Sequence, residues 1–112
     1  MAQPKPLLDE FGVIREAEQQ LPVDDLKLAF LRALAELEDN EAHRRQHFPH
    51  TNLRRVKGVK QQVYRADVTK GSAWRIHLQY GKDNRLHLKD LLPPTKHDDP
   101  TRAVQARRHR YE

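Results

Sequence analysis

The chain has no cysteine, one tryptophan, one methionine and only four glycines in 112 residues. Without thiols there is no disulfide, no thiolate metal site and no cysteine nucleophile, which fits a reducing, cytoplasmic setting. No apolar run approaches the roughly 20 residues of a membrane-spanning helix, and the N-terminus lacks the apolar core of a secretory signal. The reading is therefore of a soluble cytoplasmic protein with no membrane partner. Internal repeats and low-complexity tracts are also missing. This length suits one domain with a modest core over residues 1–112, and residues 1–6, with Pro4 and Pro6, read as a disordered tail.

What is present is charge. A third of the residues are charged and the net charge is +5, a balance that favours nucleic acid, an acidic protein or an anionic surface as partner. Acidic residues cluster before Glu41 and basic ones after it. The C-terminal two thirds is thus the expected binding part.

The stretch from Gln62 to Leu92 alternates like a three-stranded antiparallel meander. Tyr64, Ala66 and Val68 alternate with Arg65 and Asp67; Trp74, Ile76, Leu78 and Tyr80 with Arg75, His77 and Gln79; Leu86 and Leu88 with Arg85, His87 and Lys89. A period of two makes one sheet face apolar and the other cationic. A three-residue loop of Thr69, Lys70 and Gly71 would pair Val68 with Ser72 and set Arg65 opposite Arg75. A loop of Lys82, Asp83 and Asn84 would set His77 opposite Lys89 and Gln79 opposite His87. Asp90 interrupts the alternation, so the third strand is expected to end or bulge there. Like charges facing each other destabilise a strand pair. Either the arginines splay into solvent, with Asp67 relieving Arg75 diagonally, or Arg65 and Arg75 await a phosphate.

Before the sheet, Leu7, Leu8, Phe11, Ile14, Ala17 and Leu21 have the spacing of an amphipathic helix, weakened by Gly12, which leaves a short strand at Phe11 to Ile14 as the alternative. Asp24 or Asp25 can cap a second helix whose stripe is Leu26, Phe30, Ala33, Leu34 and Leu37, with Lys27, Arg32, Glu36 and Glu38 outward, and whose end reaches Arg45 or Gln46. The fold class is thus α+β: a small antiparallel meander covered on one face by an N-terminal helical hairpin. His43 and His47 have a spacing that can share a metal on a helix face, but no zincin glutamate accompanies them, and no metal or other cofactor is assigned. After Pro93 and Pro94, Asp99 can cap a closing basic helix that starts at Pro100 and runs to about Tyr111. Its arginines make it either a solvated cover or the second wall of a basic groove.

Two N-terminal helices, a basic loop with Asn-Leu-Arg-Arg at 52–55, strands VYRADV, WRIHLQY and RLHLKDLL, then Lys-His-Asp at 96–98 and a basic tail form a series. From about Leu26 to Glu112 it resembles the RelE/ParE superfamily of bacterial toxins. The RelE-like branch implies a ribosome-dependent messenger RNA endoribonuclease, wrapped by a cognate antitoxin as a hetero-oligomer; the ParE-like branch implies a gyrase inhibitor. The resemblance places Arg65 and Arg75 at the family's strand positions, and His97 where several branches keep a histidine near the C-terminus. Asp67 departs from the basic residue the pattern expects.

The implied chemistry is attack of a ribose 2'-hydroxyl on the adjacent phosphate, which needs a base, an acid and cations for the phosphate charge. Arg65 and Arg75 are the expected clamps and His97 or His77 the proton-transfer group. Arg54, Arg55, Lys57, His87, Lys89, Lys96, Arg107 and Arg108 are the expected nucleic-acid contacts. A non-catalytic nucleic-acid module is the alternative, though Trp74 and Tyr80, facing the core, are poorly placed to stack bases.

Overall fold

The first apolar stretch divides in two. In the computed structural model, which describes residues 5–69, 71, 74–83, 85–94 and 100–112, Leu7–Leu8 forms strand β1 and Val13–Gln20 forms helix α1. Gly12 between them takes φ 73°, the left-handed region that costs glycine no Cβ clash. Asp9 starts the helix: its carboxylate accepts from the N–H of Val13 at 2.7 Å and of Ile14 at 3.0 Å, groups a helix leaves unpaired in its first turn. The single helix expected from Leu7 to Leu21 is corrected accordingly. Leu7 and Leu8 instead pair in parallel with Leu86 and His87. Lys5 and Pro6 are held too, through backbone bonds to Glu38 and Leu86, rather than belonging to a free tail.

Helix α2, Asp24–Glu38, buries Ala29, Phe30, Ala33, Leu34 and Leu37, close to the expected stripe. Asp24 and Asp25 lie in its first turn, where they suit the helix dipole, but neither caps it. The chain breaks at Asp39, whose carboxylate accepts from Glu41 N–H and starts a separate α3, Asn40–Arg45. One helix reaching Arg45 is therefore two. Glu36 does not point outward: it accepts from the N–H groups of His50 and Thr51 and from the Thr51 hydroxyl, pinning that loop to α2.

The remaining strands are β2 (Arg54–Arg55), β3 (Tyr64–Asp67), β4 (Arg75–Tyr80) and β5 (Leu86–Leu92). They form a five-stranded sheet in the order β1-β5-β4-β3-β2, antiparallel except for β1 with β5. The fold is α+β, and the expected meander is its centre. Two-residue edge strands carry no period to read, so β1 and β2 are additions to it.

One sheet face, with Ala66, Val68, Trp74, Ile76, Leu78, Leu86, Leu88 and Leu91, packs on α1 and α2 as expected. Leu37, Ile76 and Leu78 are fully buried there, each adding about 2 kcal/mol of apolar burial.

Two registers differ from expectation. Asp67, not Arg65, lies opposite Arg75, while Arg65 faces His77. Lys70 of the expected loop and Ser72, the expected partner of Val68, lie outside the described residues, while Val68 N–H donates to the Trp74 carbonyl. A shift of two keeps every side chain on its face and replaces a like-charge pair by an ion pair. Gln79 faces His87 as expected, but a bulge in β5 sets His77 opposite Asp90 and leaves Lys89 as the extra residue. The strand continues past Asp90, and the added residue returns Leu91 to the core face.

The other face is not open. Helix α4, Pro100–Ala106, and a 3-10 turn, Arg108–Arg110, lie over it, shorter than the helix expected to reach Tyr111. Val104 and Tyr111 pack with Val56 and Val63 in a second small apolar cluster. Asp99, the expected cap, lies outside the described residues. Among the described residues no helix is long and apolar enough to cross a membrane.

Replacing Asp9 by Ala removes the acceptor for two N–H groups of α1. Urea unfolding followed by fluorescence of the sole tryptophan, Trp74, is expected to give a loss of about 1 kcal/mol.

Candidate nucleic-acid interface

The junction of β2, β3 and β4 collects like charge. Arg54 lies directly across from Arg65 on one side, and Arg75 directly across from Asp67 on the other. Between Thr51 and Arg75 the chain carries seven basic residues and a single acidic one, Asp67. That carboxylate is 6% exposed. Its Oδ1 accepts from Arg54 Nη1 at 3.2 Å and lies 2.9 Å from Arg75 Nε, though the Nε–H is not directed at it. Asp67 N–H donates to the Thr51 carbonyl, which fastens the carboxylate's backbone to the loop.

Arg65 differs from Arg54 and Arg75 in making no ion pair with Asp67 among the described residues. Its Nε is buried, and no acceptor for it is found among the described residues. Burial pulls its pKa down, Arg54 and Arg75 add to that, and only Asp67 opposes them. The guanidinium stays charged all the same, because its ordinary pKa lies so far above neutrality. A charged guanidinium whose Nε has no acceptor among the described residues, beside two other guanidinium groups, is an arrangement an anion would stabilise. Arg55, Lys57 and Lys60 are exposed along the same β2–β3 hairpin.

His77 is 0% exposed. Its Nδ1 lies 2.9 Å from the Tyr111 hydroxyl, and its Nε2 is buried without a partner among the described residues. Burial first and Arg65 second depress its pKa to about 4. It is therefore neutral at pH 7 and closed from solvent. Burial raises the Tyr111 hydroxyl above its ordinary value, and nearby Asp90 adds to this.

The segment carrying Tyr111 is tied across the sheet face. Arg107 reaches Asp90 at 2.9 Å and Glu16 at 3.3 Å, and Arg110 reaches Glu16 at 3.0 Å and the Lys89 carbonyl at 3.1 Å. Glu112 and Gln79 exchange two hydrogen bonds. Asp90 is the costly member: its own burial raises its pKa despite both arginines. Arg107 thus makes two internal ion pairs with its side chain still 39% exposed. Arg108 is exposed on the 3-10 turn.

The remaining expected contacts are scattered. His87 Nδ1 contacts Glu10 at 2.8 Å and its Nε2 contacts Asp83 at 3.3 Å, at the far end of β5. Gly81 makes that approach possible, since a Cβ there would come within 2.5 Å of both His87 and Asp83. Lys89 is 3% exposed, with its ammonium 5.5 Å over the Phe11 ring. Lys96 and His97 lie outside the described residues.

His43 is buried, with Nε2 2.7 Å from the Leu37 carbonyl and Nδ1 2.7 Å from the Tyr80 hydroxyl. A carbonyl only accepts, so Nε2 carries the proton and the tyrosine donates to Nδ1. Both nitrogens are committed, which separates His43 from the exposed His47. Among the described residues no group of three or more His, Asp or Glu side chains is placed to hold a metal.

The structure thus brings Arg54, Arg65 and Arg75 together and sets His77 directly across from Arg65, while His87, Lys89 and Arg107 make other contacts. Two participants were hidden in the sequence. Tyr111 is the residue that meets His77, and the signal for it was a lone tyrosine closing an arginine-rich tail. Asp67 is the shared partner of two arginines rather than a diagonal relief for one. Comparison of the chain with protein-family models, curated proteins and solved structures finds no match.

The depressed His77 pKa gives a pH test. The ordinary value near 6.5 applies to the unfolded chain and about 4 to the folded one, so the folded state binds this proton less readily. The stability tied to neutral His77 is full above pH 6.5 and is lost as pH falls toward 4. Wild type is expected to lose up to about 3 kcal/mol over that window. A His77→Gln variant is expected to lose much less, as measured by urea unfolding at stepped pH.

Proposed function

We propose that this chain holds RNA phosphates at the β2–β3 edge, and that it does so as a RelE-like toxin, a ribosome-dependent messenger RNA endoribonuclease restrained in the cytoplasm by a cognate antitoxin. The observation that carries the reading is the clustering of Arg54, Arg65 and Arg75 on neighbouring strands around one carboxylate, Asp67, which meets Arg54 and Arg75 while the buried Arg65 Nε has no acceptor among the described residues. A planar guanidinium meets two phosphate oxygens at once, which suits it to this grip. An RNA strand along the hairpin would next meet Arg55, Lys57 and Lys60, contacts that position a backbone without reading bases. The expected binding surface is therefore an edge of the sheet rather than its face, which the C-terminal segment covers.

Cleavage in this reading draws on His77. A neutral imidazole is the form that accepts a proton from a 2'-hydroxyl, but RNA reaches His77 only when Tyr111 moves off it. That closure favours a second reading, a non-catalytic RNA-binding module using the same arginines.

The deciding experiment is primer extension on messenger RNA in translating extracts, with binding of a short RNA measured alongside. Wild type is expected to bind with an affinity that falls steeply with salt and to cut in the ribosomal A site. Arg65→Ala is expected to lose binding and cutting together. His77→Ala is expected to keep binding and slow cutting by about a hundredfold. Binding without any cutting selects the module; topoisomer shifts with intact messenger RNA select a gyrase inhibitor; absence of RNA binding by folded wild type removes the reading altogether.

A further inference from the structure

We propose that Asp67 is a built-in counter-ion: it occupies the place between Arg54 and Arg75 that an RNA phosphate would take, and so sets how tightly the β2–β3 edge binds RNA. The inference rests on the RNA-binding reading above and concerns the regulation of that same site. Asp67 cannot readily step aside. It is buried, its backbone is paired on β3, and its N–H donates to the Thr51 carbonyl. One oxygen lies within ion-pair distance of both Arg54 and Arg75. A carboxylate presents the same kind of anionic oxygens to guanidinium groups that a phosphodiester does.

Charge and contact follow from this arrangement. Three arginines and one aspartate leave a local charge of +2, where three arginines alone would hold +3. An incoming phosphate meets one guanidinium, Arg65, that makes no ion pair with Asp67 and whose Nε has no acceptor among the described residues, and must share the other two with a carboxylate beside it. Attraction for any single phosphate is thereby reduced. The site then depends on several phosphates in series, reached through Arg55, Lys57 and Lys60 on the exposed hairpin. The ligand class is an extended RNA strand rather than a lone phosphate ion.

Asp67→Asn isolates the charge, because the amide oxygen still accepts from an arginine while the negative charge is gone. Binding of a fluorescein-labelled ten-nucleotide oligo(U) is measured by anisotropy across a salt series, with inorganic phosphate as a competitor. Asp67→Asn is expected to bind about tenfold tighter, roughly the effect of one unit charge at about 6 Å in a medium between protein surface and water. Its plot of log affinity against log salt is expected to steepen by about 0.7, one further phosphate neutralised on a single strand. Phosphate is expected to compete weakly against wild type and better against Asp67→Asn, and Asp67→Glu to bind as wild type does.

A second comparison does not depend on that variant folding. Arg65→Gln is expected to cost more RNA affinity than Arg54→Gln, because Arg54 is already half neutralised by Asp67. Equal losses at the two arginines, or unchanged or weaker binding by an Asp67→Asn protein whose Trp74 unfolding curve matches wild type, would falsify the counter-ion role. If wild type itself fails to bind the oligonucleotide, the RNA-binding reading fails first.

Discussion

The carboxylate of Asp67 between Arg54 and Arg75 is the interaction on which the arrangement of this sheet depends. Three strands meet there, each bringing an arginine to the same face, and like charges on neighbouring strands repel. Pairing Asp67 directly with Arg75 removes the conflict at the β3–β4 junction, and the reach of Arg54 to the same oxygen ties in β2. A register two residues away would preserve the apolar face equally well, so burial does not choose between the two. The ion pair does, and it leaves the Nε of Arg65 without an acceptor among the described residues.

Covering the second face has a different physical basis. Val63 and Val56 place a small apolar island on a surface that is otherwise polar, and Val104 and Tyr111 from the C-terminal segment close over it. Once that segment is in place, His77 is sealed and Asp90 is buried, and Arg107 and Arg110 are drawn in to face the carboxylates of Asp90 and Glu16. Much of the positive charge near the end of the chain is therefore consumed internally. Arg55, Lys57 and Lys60 stay exposed along the β2–β3 hairpin, at the edge of the sheet that this segment leaves open.

Long, regular patterns were legible in the residues themselves. The stripe of α2 and the alternation through β3, β4 and β5 identified the core face, the helices that cover it and the burial of Trp74, because burying apolar surface leaves a period in the chain. The irregularity near Asp90 was visible for the same reason. Short or context-dependent features were not. Leu7 and Leu8 read as helix until β5 offers them a partner, and the break at Asp39 depends on a cap worth little outside its setting.

The sequence by itself determined the fold class, the apolar face and the concentration of basic residues between Thr51 and Arg75, since each is a property of composition or local periodicity. Only the tertiary structure decided which of those charges is free. Whether an arginine is answered by a carboxylate, or a histidine is closed under a tyrosine, depends on contacts between residues far apart in the chain. Arg65 beside Asp67 and His77 beneath Tyr111 are set by strand register and by the docking of the C-terminal segment, and neither leaves a local pattern.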